Sequence, residues 1–68
     1  MKAFIDIRTK NQKGGAIYIN DQVNNLEDCF AWFNLNMQDL KKIAKRRNTE
    51  SICLYVKKEY EVIYEKTL

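Results

Sequence analysis

The sequence contains no histidine and no proline, and it has only two glycines among its 68 residues. Histidine is the side chain most often used for acid–base catalysis near neutral pH, and it is a common zinc ligand. Its absence leaves carboxylates and two cysteines, Cys29 and Cys53, as candidates for chemistry. The cysteines lack the close spacing of a zinc site, so we expect two free thiols and no bound metal.

The remaining candidates for catalysis have structural explanations. Glu27, Asp28 and Asp39 lie where helices are predicted to start, and acids there complement the helix dipole. Neither thiol can form a nucleophilic pair with a histidine. The pair Gly14-Gly15 lacks the spaced glycines and following lysine of a phosphate-binding loop. We therefore expect a protein that is not an enzyme and uses no cofactor.

Long apolar runs are also missing. None approaches the roughly 18 residues of a membrane-spanning helix, and the first ten residues lack the apolar core of a secretion signal. The chain is 46% hydrophobic and 31% charged, which is typical of a globular domain. We expect one small domain over residues 1–68, in the cytoplasm and without a membrane contact.

Apolar and polar residues alternate over four segments, as in strands with one buried face. The predicted strands are 2–8, 16–20, 51–57 and 60–66. Residues 9–15 contain both glycines and are predicted to turn the chain between the first two strands. Pairing Ile7 with Ile17 and Ile5 with Ile19 would place four isoleucines on one face.

The last two strands are predicted to form a second hairpin through a three-residue loop, 57–59. This loop length keeps apolar residues opposite apolar residues, whereas a loop of two or four residues mixes the two faces. The expected pairs are Val56–Tyr60, Leu54–Val62 and Ile52–Tyr64.

Residues 26–47 have the period of an amphipathic helix. The apolar positions are Leu26, Cys29, Phe30, Phe33, Met37, Leu40, Ile43 and Ala44. Either Asn24 or Asn25 can cap its start. A single helix would leave Leu35 pointing outward. A break would let Asn36 cap a second helix, with Leu35 and Leu40 as its hydrophobic staple. We favour the broken helix and keep the single helix as the alternative.

These elements predict an α+β fold. Two hairpins form a four-stranded antiparallel sheet, and the central long helix, which we expect to be broken, packs on one face. The order of the strands in the sheet does not follow from the pattern. Cys29 is expected on the helix side of the sheet and Cys53 on its far side.

The far side of the sheet is the first candidate binding surface. It is predicted to carry Phe4, Tyr18, Tyr55 and Ile63, interleaved with the charged residues Asp6, Arg8, Glu61 and Glu65. An exposed apolar patch of this kind indicates an interaction site, although scattered apolar surface is also normal in small proteins. We expect this face, or an edge beside it, to contact a partner or a second copy in a homodimer.

The end of the helix is the second candidate surface. Lys41, Lys42, Lys45 and Arg46 form one predicted solvated stripe, and Arg47 is predicted to lie nearer the apolar side. Such a stripe can bind phosphates or an acidic protein that imitates them, or it can simply complement the negative end of the helix dipole. The pattern does not favour a helix-turn-helix motif, because Asp39 would lie near the start of the recognition helix and repel phosphate.

The function we expect from these features is binding. The first hypothesis is a small protein that docks on a larger protein, such as an inhibitor encoded by a phage or mobile element. The alternative is a nucleic-acid-binding accessory protein that uses the basic residues of segment 41–47, with Tyr18 and Tyr55 as stacking platforms.

Overall fold

The helix in the middle of the chain packs on one face of an antiparallel sheet, as the sequence predicted. The computed structural model describes residues 1–9, 15–47 and 49–68, and within the helix it leaves out the side chains of residues 43, 44 and 47. The predictions for turn residues 10–14, for the core positions Ile43 and Ala44, and for Arg47 lie outside the described residues. The elements are β1 (Lys2–Thr9), β2 (Gly15–Asn20), α1 (Leu26–Arg47), β3 (Thr49–Lys58) and β4 (Glu61–Thr67).

The strand order is β2-β1-β3-β4, with every neighbouring pair antiparallel. β1 and β3 are therefore the central strands, and α1 packs along these two. Their inward-facing residues and one face of the helix form the core, in which Ile5, Ile7 and Val56 are fully buried. Among the described side chains, the buried core consists of Ala3, Ile5, Ile7, Val23, Cys29, Phe33, Leu40, Leu54 and Val56.

Helix α1 is a single continuous helix, so the break that we favoured before Asn36 is wrong. The side-chain amide of Asn36 donates to the carbonyl oxygen of Trp32, at 2.7 Å, instead of capping a new helix. Asn25 is the N-cap, because its side-chain oxygen accepts a 2.8 Å hydrogen bond from the backbone N–H of Asp28. Continuity lets Phe33 and Leu40 share one buried stripe, and it leaves Leu35 79% exposed.

The first hairpin is shifted by one residue from the predicted register. Ile5 lies opposite Tyr18 and not opposite Ile19, so Tyr18 faces the helix side while Ile17 and Ile19 face away. β2 is an edge strand that the helix does not cover, and burial therefore does not dictate its register. Gly15 helps to set it, since a Cβ there would lie 2.5 Å from the carbonyl oxygen of Ile7.

The second hairpin also departs from the prediction. Lys58 pairs with Glu61, which leaves a two-residue turn in which Glu59 has a φ of 59°. The pairing then shifts at a β-bulge, so that Val56 lies opposite Tyr64 and Lys57 opposite Val62. The bulge inserts Ile63 as an extra residue and keeps Tyr64 on the helix side.

Several residues of the second hairpin therefore lie on a different side of the sheet from the predicted one. Val62 lies on the side away from the helix, and Tyr60 is a turn residue that is 97% exposed. Glu61 pairs with Lys58 beside the turn, so it does not lie on the far side with Glu65. Tyr64 meets the ring of Phe30 edge-on at 4.9 Å, and this contact joins the edge strand β4 to the helix.

Candidate functional site

The face of the sheet away from the helix, which we call the outer face, is built as rows across the four strands. Because directly paired residues share a face, the registers place Ile19, Phe4, Tyr55 and Glu65 in one row. The next row contains Ile17, Asp6, Cys53 and Thr67. A third row of the same face contains Lys2, Lys57 and Val62, and it flanks the Phe4–Tyr55 row on the side away from Cys53.

A stacked aromatic pair lies at the centre of the outer face. The rings of Phe4 and Tyr55 have centroids 4.6 Å apart and planes that differ by 6°. The ammonium of Lys57 lies 5.8 Å from the Phe4 centroid, within the range of a cation–π contact. The two rings therefore turn one face toward each other, and the lysine lies over Phe4.

A shallow concavity of about 440 Å³ adjoins the aromatic pair. Its lining residues are Asp6, Arg8, Ser51, Cys53, Tyr55, Lys57, Val62, Glu65 and Thr67. The Asp6 side chain is 16% exposed and lies 3.5 Å from the Arg8 guanidinium. The wall thus combines an apolar border with charges of both signs.

The thiol of Cys53 has polar neighbours on β4. It lies 3.8 Å from a carboxylate oxygen of Glu65, to which it donates, and 3.8 Å from the hydroxyl of Thr67, from which it accepts. Cys29 is fully buried on the helix side. Both cysteines are free thiols on opposite sides of the sheet, as predicted.

Two pKa values respond to this packing. Partial burial raises the pKa of Tyr55, the nearby Asp6 carboxylate raises it further, and Arg8 acts in the opposite direction. Burial also raises the pKa of the Cys29 thiol, with a smaller contribution from the charge of Asp28. Both groups are therefore held in their neutral, protonated forms.

The structure brings together only part of the first predicted surface. Phe4 and Tyr55 lie in contact on the outer face, whereas Tyr18 lies on the helix side opposite Ile5. Ile63 lines a separate hollow near the β3–β4 turn and does not line the outer concavity. The expectation that Tyr18 shares a surface with Tyr55 is therefore wrong.

Sequence reasoning missed three apolar residues of the outer face: Ile17, Ile19 and Val62. Strict alternation assigned them to the helix side, because apolar residues are expected to be buried. Gly15 is the sequence feature that could have indicated the observed faces of Ile17 and Ile19, since a residue with a Cβ cannot approach the Ile7 carbonyl so closely. No glycine or proline marks the two-residue turn that sets Val62 opposite Lys57 and so places it on the outer face.

The second predicted surface lies on the solvent side of the last turns of α1. Lys41, Lys42, Lys45 and Arg46, which we call the basic stripe, are all exposed. Among the side chains that the structure describes, the one ion pair joins Arg8 to Asp6 on the outer face. Because α1 packs on the face of the sheet opposite the outer face, the basic stripe and the aromatic pair lie on opposite sides of the sheet.

Comparison with known proteins gives no match to a family model, to a curated protein or to a solved structure. Within residues 1–9, 15–47 and 49–68, no three cysteine, aspartate or glutamate side chains are grouped as metal ligands would be. α1, the single helix of the described chain, is not apolar enough to span a membrane.

Proposed function

We propose that the protein acts by binding a larger protein through the outer face, and that it does not catalyse a reaction. The observation that carries the proposal is the stacked pair of Phe4 and Tyr55 at the centre of a sheet face that α1 does not cover. Buried aromatic anchors supply much of the energy in protein interfaces, and tyrosine suits them because its hydroxyl keeps a hydrogen bond. Inhibition of the bound protein is the specific role we propose.

The charges around the aromatic pair favour a protein over a nucleic acid as the partner. Arg8 and Lys57 lie beside Asp6 and Glu65 in the same concavity, so the surface has no single sign. A polyanion would be repelled by the two carboxylates, whereas a protein surface can offer complementary charges of both signs. The aromatic pair also offers no open platform for base stacking between its rings, since they are stacked on each other.

The proposal is tested by comparing variants in affinity capture from the source cell. Tyr55→Ala and Phe4→Ser should reduce the amount of a captured partner, because each removes half of the aromatic pair. Tyr60→Ala is the matched control, since it removes an aromatic side chain that is 97% exposed at the β3–β4 turn. Its capture should equal that of the wild type.

The folding of each variant decides how the capture result is read. Far-UV circular dichroism and a cooperative melt should be largely retained in Tyr55→Ala and Phe4→Ser. If these variants unfold, the residues belong to the core and the proposal fails. It also fails if they fold normally and bind every identified partner with unchanged affinity.

A second candidate function is nucleic-acid binding by the basic stripe. The supporting observation is the exposure of four cations on one side of a helix end. Binding should weaken steeply with added salt, as counterions are released on phosphate contact. Replacing Lys41, Lys42, Lys45 and Arg46 by serine should abolish a gel shift, while Tyr55→Ala should leave it unchanged. No shift at low salt with micromolar protein would exclude this function.

A further inference from the structure

The two edges of the sheet differ in how they discourage pairing with another strand. β4 carries a bulge at Ile63 and the charged residues Glu61, Glu65 and Lys66. Bulges and charges are the usual devices that keep an edge strand from associating. β2 has six residues, Gly15–Asn20, with no charge, no proline and an unshifted register against β1. Its outward backbone groups are therefore available to another strand.

The side chains of β2 also favour association. Ile17 is 58% exposed and Ile19 is 59% exposed, and both lie on the outer face at the open edge. Burial of such β-branched side chains across a strand pair is favourable. Among the described residues, no strand lies beside β2 on its free side. An uncharged strand can also lie beside a copy of itself without like charges meeting.

We propose that β2 pairs antiparallel with β2 of a second copy, which joins two four-stranded sheets into one eight-stranded sheet. The occupant is a second copy because the strand is complementary to itself under a two-fold axis. Such an axis is the usual symmetry of a homodimer, in which the same surface is used twice. The inference goes beyond the proposed function and does not depend on it.

The alternation of side chains restricts the register of this pair. Residues opposite each other must share a face, so the axis has to pass through a residue and not between two. An axis at Tyr18 sets Ile17 of each copy opposite Ile19 of the other. An axis at Ile17 would place Ile19 opposite Gly15, and one at Ile19 would place Ile17 opposite Asp21. The axis at Tyr18 alone pairs all four isoleucines with one another.

The first experiment measures mass against concentration by sedimentation equilibrium, from low micromolar to near-millimolar protein. The wild type should change from a single chain of 8.1 kDa to twice that mass. One double variant carries Ile17→Lys with Ile19→Lys, and another carries Ile17→Glu with Ile19→Glu. Each should stay monomeric, because like charges would meet across the axis. An equal mixture of the two should form dimers through opposite-charge pairs.

A cysteine cross-link tests the register directly, in a Cys53→Ser background. Opposed residues of an antiparallel pair have Cα atoms about 4.5–5.5 Å apart, within the reach of a disulfide. Tyr18→Cys should therefore give a covalent dimer on mild oxidation. Ala16→Cys is the matched control on the same strand and face, and it should give none, because its opposite residue is Asn20.

Several results would overturn the inference. A wild type that remains monomeric at near-millimolar concentration excludes the dimer. Dimers that persist in both charged variants would locate the contact elsewhere, for example between two outer faces. Failure of the mixed variants to associate, or cross-linking through Ala16→Cys instead of Tyr18→Cys, excludes the register. Circular dichroism confirms that each variant is folded before its mass is interpreted.

Discussion

Phe4 and Tyr55 lie on the two central strands with their ring centroids 4.6 Å apart and their planes 6° from parallel. β1 and β3 place them directly opposite each other in the sheet. The contact joins the first strand to the third, so it exists only when β1 and β3 have paired across the length of α1. It therefore reports on tertiary structure and marks the centre of the outer face.

A double-mutant cycle should measure this contact. Phe4→Leu and Tyr55→Leu each keep an apolar side chain, and together they should show a coupling of roughly 0.5–1.5 kcal/mol in the free energy of unfolding. Denaturant titration supplies the free energies. Phe4→Leu combined with Tyr60→Leu is the control cycle, and its effects should add to within about 0.5 kcal/mol. A coupling near zero in the first cycle would contradict the stacking geometry.

The continuity of α1 predicts opposite outcomes for two leucines. Leu40 is 2% exposed, so Leu40→Ala should cost roughly 2–5 kcal/mol of stability. Leu35 is 79% exposed, so Leu35→Ala should change stability by no more than about 0.5 kcal/mol. In a helix broken before Asn36, Leu35 would instead pack as a hydrophobic staple. A large loss of stability in Leu35→Ala would thus favour the broken helix.

The two thiols should differ in reactivity. Cys29 is fully buried and has a raised pKa, whereas Cys53 is partly exposed on the outer face. A thiol reagent should therefore modify Cys53 in the folded protein much faster than Cys29, as measured by mass spectrometry of Cys29→Ala and Cys53→Ala variants. In denaturant the two rates should converge. An intramolecular disulfide would be incompatible with their positions on opposite sides of the sheet.

Removing either of two charged neighbours should shift the pKa of Tyr55, and the two shifts should have opposite directions. The Asp6 carboxylate helps to raise the pKa of Tyr55, so Asp6→Asn should lower that pKa. Arg8 lowers it, so Arg8→Gln should raise it. Partial burial remains in both variants and keeps the pKa of Tyr55 above its ordinary value of 10.0. Nuclear magnetic resonance of labelled tyrosine rings can follow each titration.

The same raised pKa has a consequence for stability at alkaline pH. The neutral phenol of Tyr55 is favoured in the folded protein, so its contribution is fully present below the unfolded pKa of 10.0. It is lost as the pH rises through the higher folded value. Tyr55→Phe should therefore lose less stability than the wild type over this range. Equal losses would show that Tyr55 ionises alike in the folded and unfolded chain.

The sequence allowed the central part of the fold to be predicted, because burial there restricts the chain. Ile5, Ile7, Leu54 and Val56 alternate strictly, and they lie under the helix as expected. Phe4, Cys53 and Tyr55 are on the outer face for the same reason, since each follows the phase of a central strand. Half of the first candidate surface could therefore be found from alternation alone.

The edge strands were harder to predict, since no helix covers them and apolar side chains there need not point inward. The one-residue shift of β2 exchanges Tyr18 with Ile17 and Ile19, and the two-residue turn before β4 sets Val62 opposite Lys57 on the outer face. The break in α1 was predicted from a local capping signal at Asn36. The buried stripe of Cys29, Phe33 and Leu40, which crosses the predicted break, overrides that signal.

The position of β1 between β2 and β3 also has a consequence for synthesis of the protein. β1 leaves the ribosome before its second neighbour β3, which follows only after all of α1 has been made. Until then the sheet around β1 is incomplete, and the helix that buries Ile5 and Ile7 has not yet packed on it. Long-range pairing of this kind forms late and leaves apolar surface open to association in the interval. We expect folding to complete only after β3 emerges, and fast translation through α1 should shorten the exposed period.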